Sequence, residues 1–600
     1  MYFSRSADFF RPANCALILC VAAAWVPFPG RAAAQGIQAA DLLKPQWSGG
    51  LVDNSAFVPA AEAAKAHSAF RGTLSLSETE MTIKPRAFAS RRVLGRDTAL
   101  FPGVALSFFT VRGDLVPFTQ DVIRAGSIGS GRSFWDIIVQ PGRVWSEPGD
   151  GDWSRAAFPF ALVNSLEGET HNGIATFLYT AGTVSNLRFQ IVQQTAPYLV
   201  KEYFFAAGLV PARFLAEAAG IEAMTRTYEA SLKDAVRMAP WSELEAKAGA
   251  LPRAGFDGRI PARDVILGGI DYQGTFYLEE CRSAAGPLPW CDRARFGVWS
   301  ATKALANETA LLRLAEKYGP AVFDLQIKDY VPQAAGRPGW EHVRFEDAID
   351  MATGIGNGSA RIDPNDINDG YLEGGYDRWY EARSVEEKVR VLLDSGGVHP
   401  WGPGKVARYR DQDMFLLGVA MNNFLKSKEG DAADLWSMLE KEVFEPIGIH
   451  YAPTNRTLEP GGGRGQPLMA GGFYPTIGDM VRIARLYHAG GRHGAKQILY
   501  APRVAALLPG REPRGLPTGE TPASGAVTYI NAFWVTPYRA AAGCRLYYPR
   551  MLGWGGNIIA LLPHGVTGIR VAKTDEASGN AESDTAGMAR VAELLVKFCD

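Results

Sequence analysis

Phe296-Gly297-Val298-Trp299-Ser300-Ala301-Thr302-Lys303 contains the only Ser-x-x-Lys of the chain. Helix-forming sequence follows it as far as Tyr318, where Gly319-Pro320 ends the run. Residues three apart on a helix share a face, so Lys303 projects beside the Ser300 hydroxyl. A serine hydroxyl is a weak nucleophile until a neighbouring base takes its proton. An amine does this only where burial disfavours its charged form. At a helix start the local dipole favours developing negative charge, and the backbone N–H of Ser300 can face an oxyanion. Ser300 and Lys303 are therefore a candidate nucleophile and base.

Outward from this stretch the pattern is α/β. Segments 264–270 and 275–279 are strand-like, with Asp271-Tyr272-Gln273-Gly274 as the turn between them. Helices are expected near 386–394, 412–426, 432–442 and 476–489. Strands are expected at 527–535, 545–549, 557–562 and 567–573, with a last helix over about 584–598. Two strands, a helical block, more strands and a final helix describe one domain, 252–600, closed from both ends of its sequence. Residues 35–211 read differently, as short apolar and β-branched runs punctuated by Gly, Asp, Asn and Pro, which predicts a sandwich or barrel. Between them, 212–251 reads as a helical linker, with helical spacing at 214–219 and 228–238. His171, within Glu167-Gly168-Glu169-Thr170-His171-Asn172-Gly173, is expected to be a solvated loop histidine. His488 and His493 are expected in a solvated turn, and acidic 363–369 in an exposed loop.

Several segments downstream of Ser300 occur in a telling order. They are Asp347-Ala348-Ile349-Asp350-Met351-Ala352-Thr353-Gly354-Ile355, then Pro403-Gly404 with Tyr409-Arg410-Asp411 and Leu416-Leu417-Gly418, then Pro475-Thr476-Ile477-Gly478-Asp479-Met480. With the Ser-x-x-Lys stretch, this order resembles the β-lactamase-related serine hydrolases. That family includes class C β-lactamases, penicillin-binding-protein-like carboxypeptidases, esterases and oligomeric-amide hydrolases. The resemblance covers roughly 250–600 and implies an α/β (α+β) domain, an antiparallel sheet flanked by helices. It also implies that Tyr409 relays a proton between nucleophile and leaving group. Asp411 stands where the family usually has Asn, and a charge there raises the pKa of Lys303. Gly553-Trp554-Gly555-Gly556-Asn557 corresponds to the family's third motif, so the resemblance makes the Asn557 N–H the second oxyanion donor. Trp554 occupies the place of the usual cation, and the glycines of the stretch, Gly553, Gly555 and Gly556, let the strand approach the site.

The resulting expectation is a serine hydrolase that cleaves a small ester or amide through an acyl-Ser300 intermediate and needs no metal or organic cofactor. Two alternatives stand beside it: a catalytically silent ligand-binding protein and a peptidoglycan D-alanyl-D-alanine carboxypeptidase. Lys plus Arg is 62 and Asp plus Glu is 63, so no global field exists to hold a nucleic acid. No His-Glu-x-x-His, Gly-x-Ser-x-Gly or phosphate-loop motif occurs. Arg5 and Arg11, an apolar run over 13–28 and Ala32-Ala33-Ala34 have the parts of an export signal. Residues 1–34 are read as that signal, leaving no stable membrane span and a periplasmic or secreted protein. Cys281, Cys291, Cys544 and Cys599 then remain, and an exported chain with four cysteines suggests two disulfides. A local Cys281–Cys291 bridge is natural and leaves Cys544 with Cys599, although three connectivities are open.

Overall fold

The computed structural model describes residues 36–599 except 47–48, 86–87, 127–130, 216–219, 254, 358–361 and 575–582. The export-signal segment lies outside the described residues.

Two large sheets dominate the molecule. The first contains eleven strands, all antiparallel, ordered Ala212–Leu215, Arg71–Leu76, Val104–Val111, Asp114–Pro117, Gly142–Trp145, Ser154–Val163, His171–Tyr179, Leu187–Gln194, Phe205–Val210 and Thr82–Lys84. Asp136–Val139 also pairs with Ser154–Val163. The sheet curls onto itself, because Phe70 at one end of the order meets Phe177 and Tyr179 several strands away, at 5.3 and 5.2 Å between ring centroids. Leu74, Phe108, Phe158, Phe177 and Phe189 fill the interior so formed. Their alternation with outward residues is what a period-two pattern demands.

His171 is a correction to the sequence reading. It is fully buried on the strand His171–Tyr179, not on a solvated loop. Its ring stacks on Phe204 and tilts against Trp135. Glu169, Thr170 and Asn172 are buried with it. A polar string normally marks a turn, but here the polar groups face each other and the second domain. A second correction concerns 212–251. Ala212–Leu215 is an edge strand of the first sheet and Arg237–Pro240 an edge strand of the second; among the described residues of this stretch the helices are Ile221–Lys233 and Trp241–Ala248, and 216–219 lie outside the described residues.

The second sheet has nine strands, ordered Arg237–Pro240, Thr275–Leu278, Val265–Tyr272, Thr567–Ala572, Asn557–Leu561, Arg545–Gly553, Phe533–Arg539, Thr528–Ile530 and Leu516–Pro517. Only its first pair is parallel. Val265–Tyr272 and Thr567–Ala572 are direct neighbours, so the two ends of this domain meet in its sheet. Strand Asn557–Leu561 is buried on both faces. Ile559 and Leu561 join the core shared with the helix that follows Ser300, while Ile558 and Ala560 pack with Trp241, Met588 and Ala592 on the other side. Helices therefore cover both faces of this antiparallel sheet.

Cys281–Cys291 and Cys544–Cys599 are disulfides, with Cα separations of 6.1 and 5.8 Å. His493 lies exposed in a tight hairpin, but His488 does not share its turn. It ends the helix Ile477–His488, with its Nε2 3.1 Å from Thr567 Oγ1, and burial pulls its pKa down to about 4. Among the described residues no helix is long and apolar enough to cross a membrane.

Candidate active site

Ser300 stands on the last residue before the helix. Trp299, immediately ahead of it, has a φ of 50°, a left-handed conformation that a tryptophan adopts only when its surroundings impose it. Those surroundings are visible. The Trp299 indole N–H donates to Ala196 O at 3.1 Å, and Phe296 N donates to Pro475 O at 3.1 Å. The first turns of the helix, Lys303–Glu308, are π-helical before the regular helix Thr309–Tyr318 begins.

Lys303 Nζ donates to Ser300 Oγ at 2.5 Å and to Ala470 O at 3.0 Å. It also forms an ion pair with Asp411 Oδ1 at 2.6 Å. The lysine is 1% exposed. Burial alone depresses its pKa, yet the carboxylate charge of Asp411 and the hydrogen bonds to Asp411 and Tyr409 outweigh burial. Lys303 ends above the ordinary lysine value of 10.5 and is an ammonium at neutral pH. Its Nζ lies 4.9 Å from the Tyr409 ring centroid. Burial raises the Tyr409 pKa above 10.0, and hydrogen bonds to Ser300 and Lys303 offset only part of that rise. Tyr409 is therefore a neutral phenol beside the serine.

Asp411 opens the helix Asp411–Glu429. The hydroxyls of Tyr371 and Tyr376 both donate to its Oδ2, at 2.8 and 2.9 Å, fixing the carboxylate toward Lys303. Neither tyrosine belongs to a motif legible in the sequence. Arg408 and Arg410 are committed elsewhere: Arg408 Nη1 donates to Asp363 O at 2.8 Å, and Arg410 Nε to Asp413 Oδ1 at 3.1 Å.

The third motif sits differently from its sequence reading. Trp554, Gly555 and Gly556 form the turn between Arg545–Gly553 and Asn557–Leu561. Gly553 is the residue pressed against the serine turn, since a Cβ there would lie 1.9 Å from Val298 O and 3.1 Å from Ala301 N. The Trp554 indole N–H donates to Pro197 O at 3.3 Å, and Gly555 approaches Ala196. Gly556 packs against Ile260 and Ala572. Asn557 spends its amide on Trp554 O at 2.7 Å and Gly297 O at 3.4 Å.

Beside Ser300 lies a cavity of about 40 Å³. Trp379, Tyr380, Lys388, Phe415, Leu468 and Gly471 line it from the part of the chain that carries the second sheet, and Leu166, Glu167 and Gly168 from the part that carries the first. Lys388 is 2% exposed and donates to Trp379 O and Tyr380 O at 2.9 and 3.1 Å. Burial pulls its pKa down to about 7. Burial, then the charge of Glu169, pushes Glu167 well above the usual carboxylate range, and burial pushes Glu169 to about 8. Among the described residues, no group of three or more His, Cys, Asp or Glu side chains is arranged to hold a metal ion.

No protein-family model and no curated protein matches the chain. Several solved structures do. A protein described as a 6-aminohexanoate-dimer hydrolase from Bacillus anthracis is 13% identical, with 60% of this chain covering 83% of that one and a TM-score of 0.41. A penicillin-binding protein homologue from Caulobacter crescentus is 15% identical, with 62% covering 96% and a TM-score of 0.36. A D-stereospecific amidohydrolase from Streptomyces is 14% identical, with 56% covering 95% and a TM-score of 0.35.

Proposed function

We propose that the protein is a serine hydrolase that cleaves an ester or amide through an acyl-Ser300 intermediate. One observation carries this reading: a buried lysine lies 2.5 Å from Ser300 Oγ and 2.6 Å from a carboxylate, beside a cavity. A lysine held as an ammonium cannot accept a proton unless it gives one up. In the proposed step Ser300 Oγ bonds to the substrate carbonyl carbon, the serine proton passes to Lys303, and Lys303 passes one of its own to Asp411. As the bond to the leaving group breaks, the Tyr409 phenol protonates that group. Lys303 restores the phenol, and Asp411 restores Lys303. Water then attacks the acyl carbon by the same relay in reverse. The backbone N–H of Ser300 is one oxyanion donor. The second is assigned to Trp554 N–H, at the end of the strand that presses on the serine turn, in place of Asn557.

The decisive experiment is an active-serine phosphonate probe followed by peptide mass spectrometry. Labelling at Ser300 that is lost in Ser300→Ala supports the hydrolase. An unlabelled, folded protein supports the second reading, a binding protein without turnover, which the raised pKa of Lys303 favours. Two disulfides suit an oxidising compartment, so export is part of the proposal.

A further inference from the structure

The first domain is built into the catalytic pocket. Gly297, three residues before the nucleophile, has no room for a Cβ, which would lie 1.9 Å from Gly168 O. A Cβ on Gly168 would lie 2.1 Å from Gly471 O and 3.5 Å from Trp299 Cα. The loop 164–170 is thus in backbone contact with the serine turn on one side and with the Ala470-Gly471 segment on the other. Hydrogen bonds from the second domain fix it there. Gly297 N donates to Thr170 Oγ1 at 3.1 Å, Tyr474 Oη to Glu167 O at 3.0 Å, and Asn455 Nδ2 to Asn164 O at 2.7 Å. The first domain also holds the loop from behind, through Leu199 N to Glu167 Oε2 at 3.0 Å and Asn164 Nδ2 to Glu167 Oε1 at 2.9 Å.

This loop places Leu166, 7% exposed, in the wall of the cavity, which Leu468 also lines. The room left beside Ser300, about 40 Å³, is narrow. A leaving group must depart and water must enter, so the enclosed side of Ser300 is the place for the group that stays bonded to it. That group is the acyl moiety.

We infer that the first domain sets the acyl-size limit of the enzyme, and that its substrates are esters or amides of small acyl groups, with Leu166 as a residue that blocks longer chains. This rests on the acyl-Ser300 reading above.

The test compares kcat/KM for p-nitrophenyl acetate, butyrate and octanoate in the wild-type protein, in Leu166→Ala and in Leu468→Ala, a second leucine of the lining. Expected is a fall of at least tenfold from acetate to octanoate in the wild type, and a rise of at least tenfold in the octanoate-to-acetate ratio in a folded Leu166→Ala. Should Leu166→Ala fail to fold, Leu468→Ala reads the same ratio. A wild type that hydrolyses octanoate as well as acetate, or folded variants with an unchanged ratio, overturns the size limit. Labelling by two phosphonates keeps the two readings apart. A methylphosphonate that labels Ser300 where an octylphosphonate does not supports the inference. Equal labelling by both overturns it and leaves the hydrolase standing, and labelling by neither overturns both.

Discussion

At the scale of single residues, Asp411 has the largest consequence. Its carboxylate is the main reason that Lys303 lies above 10.5 despite complete burial. In the proposed relay Lys303 reacts as an ammonium, taking the serine proton as it passes one to Asp411, so the wild type needs no alkaline pH for turnover. Asp411→Asn removes that acceptor, so the variant turns over only through a neutral Lys303, and its kcat/KM is expected to be lower than wild type at neutral pH and to rise as pH increases. A variant with the wild-type pH profile would detach Asp411 from the relay. Lys388 gives a second prediction, read from stability. Its folded pKa of about 7 lies below its unfolded value of 10.5. Between those values the unfolded chain binds the extra proton, so stability rises with pH across that window. Relative to Lys388→Met, the wild type should gain about 1.4 kcal/mol per pH unit there, measured by denaturant unfolding at several pH values. Ser300, Lys303, Tyr409 and Asp411 were legible in the sequence because each sits on a helix start or a motif with fixed spacing. Lys388, Tyr371 and Tyr376 were not. Their positions depend on the packing of 371–388 over the site, which no local pattern encodes.

Elements show where local reading works and where it stops. The helices Val385–Ser395, Asp411–Glu429 and Ile477–His488 begin and end close to their sequence estimates, because apolar periodicity and, for the first and last, capping boxes at Ser384 and Thr476 define them. The segment at 214 misled because Ala and Leu favour helices, yet edge pairing of Ala212–Leu215 with Arg71–Leu76 overrides that preference. The motif around Trp554 was legible as a close approach but not in register, since a hairpin turn fixes which glycine faces the serine. That glycine is Gly553. Gly553→Ala should cost about 1–3 kcal/mol in stability through overpacking and lower kcat/KM by roughly a hundredfold or more, because the obstructing atom is the backbone oxygen of Val298. Thermal melting and ester kinetics on the same preparation check both halves.

At the scale of the whole molecule a β-rich stretch and an α/β stretch were legible, but not that Gly36–Asp600 form one compact unit with a cavity lined by both. Composition marked the change from β-rich to α/β sequence, whereas contact between Gly168 and Gly297 joins residues remote in the chain and leaves no periodic trace. The pairing Cys544–Cys599 ties a strand of the second sheet to the C-terminus across a separation of 55 residues. On the chain-entropy model such a loop stabilises by roughly 4 kcal/mol. Replacing both cysteines by serine should therefore lower the melting temperature by several degrees while kcat/KM toward a small ester changes little, because the bridge lies beyond the far face of the sheet with Phe598 and Tyr538.

The meeting of Val265–Tyr272 with Thr567–Ala572 has a consequence for the chain as it is synthesised. A ribosome adds residues in order, so the strand carrying Val265 waits for about 300 further residues before its neighbour exists. Ser300 and Lys303 are made early, but the sheet that supports their helix is incomplete until Ala572 emerges. The curled first sheet, made entirely from residues 71–215, can close long before then and offers a finished surface on which the serine turn assembles. A nascent chain therefore carries Ser300, the proposed nucleophile, without its supporting sheet, and reactivity toward a serine probe should appear only on chains released at full length.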